Sequence, residues 1–173
     1  MPHNAALALV DDLEPAPSLA PAFGAGDVVV LKFGSSILRS QLDAPAVASE
    51  VYGHVRAGRK VVAVVSAFGG HTDRLLADAR SLGLDHENEL LPAYVALGEE
   101  KSAALTAIAC DRIGLDAVAL SVRELSIVAE GPAEHAHPVS LKSEGLKRAL
   151  EQHQVVVVPG FGAVREDGRV VLL

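Results

Sequence analysis

The chain has 173 residues and a formal net charge of −7, which speaks against non-specific binding to nucleic acid or to an anionic membrane surface. Half of it is hydrophobic but only 3% is aromatic, so the core of a single domain must be built from Ala, Val, Leu and Ile. The one cysteine, Cys110, excludes an internal disulfide and a Cys-based zinc site, and it fits a reducing, cytoplasmic setting.

Residues 1–26 are rich in Ala and Pro, lack a basic start and are interrupted by Asp11, Asp12 and Glu14. They make a poor signal peptide and are expected to form a disordered extension, leaving 27–173 as the domain. No stretch reaches the ~20 apolar residues of a membrane span. From there on, five short β-branched runs punctuate the chain: 28–31, 61–65, 117–120, 155–158 and 170–173. They are continuous rather than alternating, which predicts parallel strands covered on both faces.

Helical patterns separate these runs. Val47, Val51 and Val55 repeat at i, i+4, i+8 within 42–57. Leu75, Leu76, Ala79 and Leu82 form a second stripe behind an expected N-cap at Thr72. A longer pattern after Asn88 is expected in two pieces, since Pro92 and Gly98 interrupt it, with Leu105, Ile108 and Ala109 buried before Gly114. Leu146, Ala149 and Leu150 mark a fourth helix. Strands alternating with helices predict a three-layer α/β/α sandwich with a mainly parallel sheet.

In such sheets ligands bind outside the carboxyl ends of the strands. After the first strand comes Lys32-Phe33-Gly34-Ser35-Ser36, a lysine, a close-approach glycine and two hydroxyls that suit a polyphosphate. It is not a Walker A loop, because the lysine precedes the glycine. Gly24-Ala25-Gly26 lies before the strand and so is not a dinucleotide fingerprint. Ser66-Ala67-Phe68-Gly69-Gly70-His71-Thr72-Asp73 again reads as strand, small-residue loop and helix, and Pro159-Gly160-Phe161-Gly162 follows the 155–158 strand. Gly98-Glu99-Glu100 reads as a helix start whose acids complement the dipole. Taken singly, each is an ordinary turn or helix start. His135 and His137 read as a solvated loop, Cys110 as a small core residue, and Arg123-Glu124 as either a cleft or a surface pair.

Taken in order, the Leu31-Lys32-Phe33-Gly34 strand end, the Val64-Val65-Ser66-Ala67 run, Thr72-Asp73, Gly98-Glu99 and Gly160-Phe161 resemble the aspartokinases, over roughly residues 28–173. The resemblance implies an amino-acid kinase-like fold and transfer of the ATP γ-phosphoryl group to the β-carboxylate of L-aspartate, with magnesium accompanying the ATP. Lys32 would neutralise charge on the transferring phosphate. Gly34, Ser35, Ser36, Gly160, Phe161 and Gly162 would contact the nucleotide, and Ser66 and Glu99 the amino acid. Ser35 stands where relatives have a second glycine, and the chain ends before the Gly-Gly-Ser-Asp-like segment of relatives. The expectation is therefore a truncated, substrate-binding half that is inactive alone. The alternative is a non-catalytic aspartokinase-like module, for example at the N-terminus of a homoserine dehydrogenase. An apolar last strand, 170–173, without charge, proline or cover, further predicts self-association through an exposed edge.

Overall fold

The computed structural model describes residues 27–84 and 88–173; the expected extension at 1–26 lies outside them. Four parallel strands form the main sheet, in the order β1 (Val28–Phe33), β2 (Lys60–Val65), β6 (Val155–Pro159), β3 (Ala117–Ala119). Between them run α1 (Ala44–Arg56), α2 (His71–Ser81), α3 (Leu91–Arg112) and α5 (Glu144–Gln152). One face of the sheet packs on α1 and α3, where Val47, Val51, Ala103, Ala107 and Cys110 meet Val61, Val65, Val155 and Val157. The other face packs on α5 through Ala149, Leu146 and Leu150 against Val62, Val156 and Val158. The result is the expected three-layer sandwich. Every core position is a small aliphatic side chain apart from a few such as Phe33 and Phe68.

Cover on both faces holds for β2 and β6 but not for β1. Val28 and Val30 are 50% and 64% exposed, because α5 reaches the middle of the sheet and β1 lies at its edge. Its burial alternates accordingly, the pattern of a one-sided strand.

The larger correction concerns the 170–173 run. It is not a fifth parallel strand. β8 (Val170–Leu172) pairs antiparallel with β7 (Gly162–Val164) in a second, smaller sheet of order β5-β4-β7-β8, with β4 at Ile127–Glu130 and β5 at His137–Leu141. Nor is its edge bare. Leu172 N–H donates to the Ala133 carbonyl and its own carbonyl accepts from Ala136 N–H, both at 2.8 Å. Leu172 packs on Leu91 and Val95 of α3, and Val170 on Ala96 and on Val122 of α4 (Val122–Leu125). The exposed-edge basis for self-association is thereby removed.

α3 is one continuous helix of 22 residues. Pro92 falls in its first turn, where no N–H is needed, so it starts the helix instead of breaking it. Gly98 sits inside the helix for reasons of packing. A Cβ there would lie 3.1 Å from Leu75 Cδ1 and 3.2 Å from His71 Cδ2, so the glycine lets α2 approach. Two smaller expectations also shift. Ile108 is 54% exposed, and α2 is capped by Gly70 in the left-handed region (φ 70°), which puts Thr72 within the helix and leaves Leu82 beyond it, exposed.

Candidate functional site

Register places the site. Phe33 pairs with Val65 and Val65 with Pro159, so β1, β2 and β6 end level and the three loops leave side by side. Two further backbone bonds prolong the ladder, from Ser66 N–H to Phe33 O at 3.0 Å and from Gly160 N–H to Val65 O at 3.1 Å. The first loop closes on itself, with Ile37 and Leu38 N–H both reaching Gly34 O at 2.9 Å. It then meets the second, where Gly69 N–H donates to Leu38 O at 2.9 Å. A Cβ on Gly69 would lie 2.9 Å from the Arg39 carbonyl oxygen, so only glycine permits this contact.

A cavity of about 390 Å³ opens between these loops. Its walls bring together Lys32, Ser35, Ser66, Glu99, Gly160 and Phe161, predicted from four separate parts of the chain. Three other predicted residues do not line it. Gly34 leaves its open space beside the Lys32 ammonium, 3.7 Å from where a Cβ would be, and Ser36 is exposed outside the cavity. Gly162 begins β7, and a Cβ on it would sit 2.5 Å from Val122 Cγ2, so close packing explains that glycine. The walls also include Thr72 and Asp73, which the sequence pattern picked out only as part of a resemblance. Their signal was the small-residue loop itself, whose last residues become the first turn of α2.

Glu99 is the most constrained of these groups. It is not in a first helical turn; it lies in the middle of α3 and is 7% exposed. Burial pushes its carboxyl pKa up, opposed by N–H groups of Phe161, Gly160 and Ala67 and by the nearby Lys32 ammonium. The Phe161 N–H reaches Oε2 at 2.6 Å. Beside the cavity, His71 is pushed down by burial and by Lys101 and Arg74.

The remaining candidates fall elsewhere. The Glu124 carboxylate accepts from Ser121 N–H at 2.8 Å, a capping box that starts α4 and holds its pKa down. Arg123 donates to the Gly168 carbonyl. His135 and His137 are exposed, and among the described residues no group of three or more His, Cys, Asp or Glu could hold a metal ion. No described helix is long and apolar enough to cross a membrane.

The chain is similar in sequence and fold to known proteins. An aspartokinase of Helicobacter pylori is 30% identical over 146 residues, which are 84% of this chain and 36% of that protein. An aspartate kinase structure from Synechocystis superposes with a TM-score of 0.67 at 27% identity, covering 85% of this chain and 24% of its own. Aspartokinase III of E. coli superposes at 0.68 with 20% identity, over 85% of this chain and 43% of its own. The chain thus spans about a third of the length of the curated relatives it matches. The amino acid kinase family model matches residues 27–173, the whole of the layered structure just described, and the chain belongs to that family.

Proposed function

We propose that the cavity is the amino-acid and phosphoryl end of an aspartokinase-type active site. The reaction is transfer of the ATP γ-phosphoryl group to the β-carboxylate of L-aspartate. A carboxylate oxygen attacks the γ-phosphorus, the bridging P–O bond breaks with its electrons leaving on ADP, and an aspartyl phosphate forms. The supporting observation is that Lys32, Ser66 and Glu99, distant in sequence, line one cavity. Lys32 neutralises charge on the transferring group, Ser66 lies beside the acyl phosphate, and Glu99 faces the amino acid. Gly34 and Ser35 offer the nucleotide backbone donors, while the Gly160 and Phe161 N–H groups are taken by Val65 O and Glu99, so that turn serves as cavity wall. Aspartokinase III of E. coli was solved with aspartate and ADP, ligands of the class this reading requires. Magnesium would accompany ATP, and Asp73, the exposed carboxylate of this cavity, is the residue that would help hold it.

Lys32 is the only cationic side chain among the residues lining the described cavity, a small counter-charge for a triphosphate. The 173 residues by themselves are therefore proposed to bind amino acid without turnover. Calorimetry with L-aspartate and with magnesium-ATP, beside a coupled ADP-release assay, tests both parts. Aspartate binding without turnover is expected. Tight nucleotide binding with no response to aspartate, or aspartate-dependent release at roughly 1–100 per second, overturns the reading. A non-catalytic module predicts something different again: no turnover even when joined to the remainder of a kinase.

A further inference from the structure

We infer that Glu99 is a positioning residue, whose ionised carboxylate pins the loop after β6 to α3. That role is separate from contact with a substrate, and its importance rests on the reading that this cavity is the ligand site. Glu99 sits on the buried face of the 22-residue α3, a rigid base for a tie. Its Oε2 accepts the Phe161 N–H at 2.6 Å, a short, charge-assisted bond of the stronger kind. The Gly160 N–H of the same loop is taken by Val65 O at 3.1 Å, so the Phe161 bond is what joins this loop to Glu99. Gly160 and Phe161 both line the cavity.

Phe161 is held from both sides of its backbone. Its N–H goes to Glu99, and its carbonyl accepts Leu173 N–H at 2.9 Å. The neighbours leave no slack, since a Cβ on Gly160 would lie 2.9 Å from Val64 Cγ1 and one on Gly162 would lie 2.5 Å from Val122 Cγ2. With its peptide planes fixed, Phe161, 38% exposed, keeps its place in the cavity wall. An amide in place of the carboxylate cannot do the same. It is neutral, so the bond it offers the Phe161 N–H is of the weaker, uncharged kind, and only one of its two terminal atoms can accept.

The test uses the whole chain without any ligand, so its result is independent of whether aspartate binds. Amide hydrogen exchange is compared between the wild type and Glu99→Gln. Expected is acceleration on the order of ten- to a hundredfold at Phe161, the scale of a lost hydrogen bond to a charged group. Amides of β2 and β6, such as Val62 and Val156, should stay within about twofold. Unchanged exchange at Phe161 overturns the inference. If the variant is unfolded or loosened throughout, the wild type decides by a pH titration of its amide proton shifts. The Phe161 resonance should then move with an ionisation that strand amides do not report. A purely steric prop would give no such titration, and its absence overturns the inference.

Discussion

Cys110 is completely buried, and desolvation of the thiolate raises its pKa from an ordinary 9.0 to about 11. A group whose folded pKa lies above its unfolded one gives stability that is fully present below the unfolded value. It is lost as pH rises through the folded value, because above pH 9 the unfolded chain alone sheds the proton. Wild type should therefore lose about 2 kcal/mol more than Cys110→Ala between pH 8 and 11, at 1.36 kcal/mol per unit. Urea denaturation of both proteins across that range measures it, and parallel pH dependences would refute it. Burial of this residue was legible from its place in an apolar helical stripe. Burial of Glu99 was not. An acid after a glycine reads as the start of a helix, and only the contact of α2 on Gly98 shows why a glycine belongs inside one.

At the scale of elements, the parallel strands were readable because burial on two faces writes itself as an unbroken β-branched run. β4, β5 and β7 were not readable. β5 is exposed along its whole length, and β7 is three residues that begin with a packing glycine, so neither carries an apolar run. β8 carried the right signal for burial and the wrong one for direction, since helix cover on an antiparallel strand makes the same pattern. The loops that build the cavity depend on a different kind of residue. Gly69 and Gly70 look equivalent in sequence, yet a Cβ on Gly69 would strike the Arg39 carbonyl while one on Gly70 meets open space but a left-handed φ of 70°. Gly69→Ala should cost about 1–3 kcal/mol by overpacking and should also weaken ligand binding, because it drives the first two loops apart. Gly70→Ala should cost about 1–2 kcal/mol of backbone strain. Denaturation curves give the stabilities, and calorimetry with L-aspartate shows whether the binding loss is confined to Gly69→Ala.

Over the whole molecule, exposure is decided by where the layers end. Val30 and Leu172 are both apolar strand residues near opposite ends of the chain, and both belong to runs that read as buried. The structure separates them. Val30 stands on β1 beyond the reach of α5 and is 64% exposed, whereas Leu172 is 6% exposed beneath α3. Leu172→Ala should therefore leave a cavity against Leu91 and Val95 and cost about 2–5 kcal/mol. Val30→Lys places a charge on an exposed edge strand and should change stability by no more than about 0.5 kcal/mol. A bare C-terminal edge would reverse the ranking, since truncating an exposed leucine removes little packing. Chemical denaturation of the two variants with the same m-value settles the order. A small loss for Leu172→Ala would mean that α3 does not cover β8 in solution, and the apolar edge inferred from sequence would again be available to a second chain.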